Sequence, residues 1–228
     1  MNCSVILDNL EQIRYRVSAA AARAGRNSNE IRLIAVTKYA ALQDIKVLLQ
    51  SGAVAEVGES RIQDAQAKKQ ELGALAQTVR WRFIGHLQTN KAKKAAQTFD
   101  AVDSIDKVET AEALEKALAP LGKRLPVLVQ VKLTGRESQS GVAPDALESL
   151  LESLRAYPRL DARGLMAIAP DLSPVEAVRP HFRKLHQLFN KFFSNRPDAE
   201  LSMGMSRDFE IAVEEGATHI RVGSALFS

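Results

Sequence analysis

The chain has 228 residues, of which 46% are hydrophobic and 25% charged, with a formal net charge of +4. This balance excludes a disordered chain and leaves enough apolar material for a sizeable core, and so small a positive surplus does not by itself call for nucleic acid or a membrane. The single cysteine, Cys3, can form neither an internal disulfide nor a thiolate metal cluster, which fits a reducing compartment.

The first segment, residues 4–25, reads as an amphipathic helix. Ile6, Leu10, Ile13 and Val17 recur at helical spacing, and Gly25 is a natural stop. A regular alternation follows. Strand-like runs are expected at 31–36, 53–57, 81–85, 101–105, 127–131, 162–168, 201–205 and 219–222. Helical spacing fills the intervals at 42–49, 61–72, 90–99, 107–118, from Pro144 to about 154, 175–193 and 208–215. Strands separated by helices imply parallel pairing, because a parallel crossover needs the length of a helix. Eight such units point to a closed (β/α)8 TIM barrel with an extra N-terminal helix, and an open doubly wound sheet is the alternative. The repeat uses nearly the whole length, so one domain over 1–228 is expected. No basic-then-apolar leader opens the chain, and no apolar run approaches ~18 residues. The cytoplasm is the expected location, and a monomer the expected state.

In a barrel of this kind the site lies at the C-terminal ends of the strands. The residues there are Thr37-Lys38-Tyr39, Gly58-Glu59-Ser60, His86 to Asn90, Met166, Met203 to Ser206 and Arg221 to Ser224. A lysine in an apolar mouth loses solvation, which lowers its pKa and frees the amine for Schiff-base chemistry; a solvated Lys38 at a strand end is the alternative. Ser206 sits where a helix N-cap would be, with Asp208 in the first turn, and Gly223-Ser224 repeats the arrangement after the next strand. Two small-residue turns after strands seven and eight suit a phosphate. Arg221 shares a face with Gly223, so an inward Arg221 needs an acceptor, either a ligand or a carboxylate such as Asp103 or Glu59. The histidines show no metal spacing, and the run Lys91 to Lys94 without interleaved aromatics reads as a solvated helix face, not a nucleic-acid site.

Lysine, phosphate turns and inward arginine together suggest pyridoxal 5′-phosphate (PLP). The stretches Leu33-Ile34-Ala35-Val36-Thr37-Lys38, Val57-Gly58-Glu59-Ser60, Trp81 to Lys91, Arg163-Gly164-Leu165-Met166, Leu201 to Ser206 and Arg221 to Phe227 carry a family resemblance across nearly the whole chain. The sequence resembles the YggS/PROSC group, the pyridoxal phosphate homeostasis proteins related to the N-terminal barrel of alanine racemase. The resemblance implies that Lys38 bonds the cofactor as an aldimine, that Arg221 faces the pyridine nitrogen, and that Ser206, Gly223 and Ser224 hold the phosphate. It places Met166, His86 and Ser60 in the pocket. Ser60 stands where the family usually has Asn, Ser224 where Thr is common, and Lys132 where Asn is frequent.

Racemisation wants a base on each face of the substrate carbon. Lys38 can serve one. The resemblance implies that the second base of a racemase is a tyrosine from a separate C-terminal domain, which the barrel leaves no length for. Tyr15, Tyr39 and Tyr157 are not expected to replace it. The expected function is therefore a PLP carrier or buffer with little or no catalysis, supporting vitamin B6 and amino- and keto-acid homeostasis and serving PLP-dependent apoenzymes. A PLP-dependent racemase and a cofactor-free Schiff-base aldolase are the alternatives.

Overall fold

A stripe of apolar side chains builds the first helix. In the computed structural model, which describes residues 3–134 and 139–228, α1 (Cys3–Arg23) buries Ile6, Leu10, Ile13 and Val17 on one face. Each such burial contributes on the order of 1.5–3 kcal/mol. The helix ends in a Schellman motif: Arg26 N–H donates to Ala21 O at 2.9 Å and Gly25 N–H to Ala22 O at 3.1 Å, with Gly25 at φ +65°.

The alternation then runs β1 (Arg32–Val36), α2 (Leu42–Gln50), β2 (Glu56–Glu59), α3 (Ile62–Leu72), β3 (Arg80–Phe83), α4 (Ala92–Thr98), β4 (Ala101–Ile105), α5 (Val108–Leu118), β5 (Leu125–Gln130), α6 (Leu147–Leu154), β6 (Leu160–Met166), α7 (Arg179–Phe193), β7 (Glu200–Ser202), α8 (Phe209–Glu214), β8 (His219–Val222) and α9 (Ser224–Phe227). Every strand pairs in parallel with its neighbour in sequence, and β8 pairs back to β1. The fold is the closed (β/α)8 barrel. The added helix α1 has a structural reason. α9 is a single turn, too short to cover the seam between β8 and β1, and α1 packs there against α2, α8 and α9. Asn9 Nδ2 donates to the carbonyls of Leu226 and Ser228 at 3.2 Å each, and Arg16 pairs with both oxygens of Glu210.

Several boundaries differ from expectation; β7, for one, ends at Ser202 and not at 205. β2 begins at Glu56 and includes Gly58 and Glu59, which the sequence places just after the strand. A Cβ on Gly58 would stand 3.0 Å from Ile34 Cγ2 and from Ile84 Cδ1, so the glycine serves interior packing of a strand, not a turn. α6 starts at Leu147, and Pro144 lies in the turn before it. α9 was not expected at all, because one helical turn carries no periodicity.

The large apolar core lies between the outward faces of the strands and the helices, and includes Ala35, Val57, Trp81, Phe83, Val102 and Leu165. The lower barrel interior holds charge instead. Arg82, 1% exposed, donates to Asp103 Oδ1 at 2.8 Å and Oδ2 at 2.9 Å, to Glu56 Oε2 at 3.0 Å and to Glu200 Oε2 at 2.5 Å. Burial pulls the guanidinium pKa down, but Asp103, Glu200 and Glu56 more than reverse that and raise it. Burial raises the Glu200 carboxyl despite Arg82. His219 lies beside this layer, its Nε2 3.7 Å from Glu200 Oε2, and burial followed by the surrounding arginines holds its pKa well below the ordinary value. Among the described residues no helix is long and apolar enough to cross a membrane.

Candidate functional site

Above the charged layer the barrel opens into a cavity of about 920 Å³ at the C-terminal ends of the strands. Its size suits a small-molecule site. Seven of the eight pocket residues that the family resemblance implies line it: Lys38, Ser60, His86, Ser206, Arg221, Gly223 and Ser224. Met166 does not. It is fully buried on β6, and Ile168, two residues on and on the same inward face, takes the lining position.

Arg221 forms the floor. Its side chain is buried, with Nη1 donating to Ser202 Oγ and Nη2 to Ala167 O, each at 2.7 Å. Neither expected carboxylate pairs with it. Asp103 is taken by Arg82, and Glu59 points outward to the helix layer. Burial pushes the Arg221 pKa down to about 10, against the pull of Asp103 and Asp208. It therefore remains charged at neutral pH, with N–H groups still to give.

Lys38 follows β1 at the rim. It is exposed, so the loss of solvation expected there is absent: the mouth is open and the buried position is Thr37. Lys38 has no hydrogen-bond or ion-pair partner among the described residues, and its Nζ lies 5.0 Å from the centre of the Tyr39 ring. Across the mouth His86 Nδ1 stands 3.5 Å from Asp106 Oδ2. Gly85 permits a close crossing of β2 and β3 here, since a Cβ on it would lie 2.2 Å from Ser60 O.

The paired turns are arranged differently from expectation. Ser206 does not cap α8; the residue before that helix is Asp208, whose Oδ1 accepts from Met205 N–H at 2.5 Å. Burial raises the Asp208 carboxyl pKa against that bond and Arg221. Ser206 reaches across to the last turn, where its Oγ accepts from Gly223 N–H at 3.3 Å and Ala225 N–H at 3.2 Å. The two turns are thus one unit, held by a hydroxyl whose own O–H is left to donate.

Sequence reasoning missed Gln130, which lines the cavity from the end of β5 and donates through Nε2 to Ser140 O at 3.0 Å. A polar residue interrupting Val127-Leu128-Val129-Gln130-Val131 was the available signal. It also missed the contacts behind Lys38. Thr37 Oγ1 and Lys68 Nζ both donate to Glu59 Oε1, at 2.6 and 2.5 Å, and Lys68 Nζ donates to Thr37 O at 2.6 Å. No group of three or more His, Cys, Asp or Glu among the described residues is placed to hold a metal.

The sequence pattern of the alanine racemase N-terminal domain matches residues 9–228. The pyridoxal phosphate homeostasis protein of Aquifex aeolicus is 36% identical over 222 residues, covering 96% of this chain and 96% of that protein. PipY of Synechococcus elongatus, solved with PLP bound, is 34% identical with a TM-score of 0.80, over 93% of this chain and 100% of that one. An alanine racemase from Clostridium difficile shares the fold alone, at 14% identity and a TM-score of 0.73, over 98% of this chain and 56% of the racemase. The chain belongs to the pyridoxal phosphate homeostasis proteins, within the alanine racemase N-terminal domain family.

Proposed function

We propose that the protein binds PLP at the barrel mouth and holds it as a reserve, keeping the free aldehyde low and supplying cofactor for vitamin B6 and amino- and keto-acid homeostasis. The observation that carries this is the convergence, in one cavity, of an amine with no partner among the described residues (Lys38), a buried permanent cation (Arg221) and a hydroxyl-and-amide turn (Ser206, Gly223, Ser224). This donor set fits a phosphorylated pyridine aldehyde. When bound, PLP supplies an electrophilic aldehyde and an electron-withdrawing ring.

Lys38 holds the aldehyde end. Ser206, Gly223 and Ser224 would hold the phosphate, and Arg221 would face the ring nitrogen. A cation at that place disfavours a proton on the ring, which restrains the cofactor's electron-sink character. Ser60, His86 and Gln130 bound the remaining wall, and Met166 supports it from below. The mouth is open, so water reaches the site and carbanion chemistry is poorly protected. These features favour a carrier over a racemase. We assign the role to one barrel domain over residues 1–228, acting in the cytoplasm as a monomer with PLP-dependent apoenzymes as recipients.

Incubation with PLP followed by borohydride tests the reading. The expected result is a yellow protein whose PLP becomes fixed to the peptide containing Lys38, with Lys38→Ala unlabelled. A wild-type protein that stays colourless and unlabelled refutes it.

A further inference from the structure

A buried ion pair lies directly behind the amine-bearing residue and takes no part in the cavity. Glu59 is fully buried on the outward face of β2, and Lys68 reaches it from α3 with 16% of its side chain exposed. Both converge on Thr37, the residue before Lys38. Thr37 is also fully buried, and its polar groups are occupied on every side. Its N–H donates to Gly58 O at 3.1 Å, and its hydroxyl donates to Glu59. Its carbonyl accepts from Ala40 N–H at 3.0 Å and from Lys68 Nζ at 2.6 Å. The second Glu59 oxygen, Oε2, is buried with no hydrogen-bond partner among the described residues. A buried carboxylate with one oxygen unpaired is costly, and apolar packing would fill the same space more cheaply.

We propose that Lys68 and Glu59 are positioning residues for Lys38: they clamp the Thr37 peptide so that the chain leaves β1 in one direction and the Lys38 amine is presented to the cavity in one place. The proposal rests on the PLP-binding reading above. Lys38 Nζ, as the neutral amine, adds to the aldehyde carbon. A C=N bond replaces C=O, and both amine protons leave with the oxygen as water. The rate of that bond formation depends on where the nitrogen is held. Ring and phosphate binding depend on Arg221, Ser206 and Ser224, which the clamp does not touch.

That separation defines the experiment. Wild type, Lys68→Met, Lys68→Arg and Thr37→Val are mixed with PLP, and the visible band of the bound form is followed by stopped flow. Affinity for pyridoxine 5′-phosphate, which has the ring and phosphate but no aldehyde, is measured alongside. Lys68→Met is expected to form the band about tenfold more slowly. Thr37→Val, which removes one hydrogen bond isosterically, is expected to slow it about threefold. Lys68→Arg should recover most of the rate, and affinity for the alcohol should stay at the wild-type value in all. If Lys68→Met does not fold, Thr37→Val decides alone. Unchanged PLP kinetics, or equal weakening toward PLP and the alcohol, overturns the proposal. Amide hydrogen exchange at Lys38–Ala40 in the unliganded protein separates the two readings. Faster exchange in Lys68→Met supports the clamp even if wild type takes no PLP, and unchanged exchange overturns it.

Discussion

Replacing Arg82 by Met removes the central cation of the lower barrel while nearly conserving its bulk. The three carboxylates around it are not equally exposed to the loss. Glu56 keeps Arg80 at 3.6 Å and Arg32 at 3.8 Å, and Glu200 keeps Arg163 at 3.8 Å. Asp103, fully buried, has Arg82 as its one ion-pair partner among the described residues. In Arg82→Met it loses that partner and the three charge-assisted hydrogen bonds that Arg82 gives it. Breaking a buried pair by removing one partner costs about 3–5 kcal/mol. Urea denaturation of wild type and Arg82→Met measures this. Arg82→Met/Asp103→Asn takes away the stranded charge as well and should recover about half of the loss, since what remains is the set of buried hydrogen bonds no longer made. A deficit below about 1 kcal/mol, or a double variant no more stable than Arg82→Met, would refute the assignment of Asp103 as the dependent group.

Two further outcomes follow from the upper half of the barrel. Gly85→Ala places a methyl 2.2 Å from the backbone oxygen of Ser60, so β2 and β3 must separate at the mouth. The expected loss is about 1–3 kcal/mol in thermal or urea unfolding, together with weaker PLP binding; an unperturbed variant would contradict the tight crossing. Ser206→Ala leaves the Gly223 and Ala225 amides without their shared acceptor, and should cost about 1 kcal/mol of stability. PLP is expected to recover part of that loss, because its phosphate oxygens replace the missing hydroxyl, and comparing unfolding with and without PLP checks this.

Periodicity carried the barrel. Runs such as Val127 to Val131 and the spacing of Ile6, Leu10, Ile13 and Val17 announce their elements because each buries one face, and burial imposes the period. Gly58 and Glu59 show where that logic stops. They follow the apolar run, yet they pair in register with β1 and β3 as strand residues, and a Cβ at the inward position 58 would stand 3.0 Å from Ile34 and Ile84. The cavity residues were legible as those following the strands, which the barrel topology brings to one end. Their partners were not. Glu59 was considered as an acceptor for Arg221, but strand alternation turns it outward to Lys68, and only the register of β2 decides between the two. Ser206 reads as the cap of the helix following it, whereas it bonds the turn after the neighbouring strand, a tertiary contact that no local pattern encodes.

The charged layer beneath the cavity also shapes how the protein responds to heat. Hydrating charged groups becomes less favourable as temperature rises, so the desolvation cost of burying Arg82, Asp103, Glu56 and Glu200 shrinks. Buried polar surface also lowers the heat capacity of unfolding, where apolar surface raises it. A barrel plugged by ions therefore has a flatter stability curve than one plugged by aliphatic side chains, and the floor on which Arg221 stands is held most firmly, relative to the helical shell, at the warm end of the protein's range.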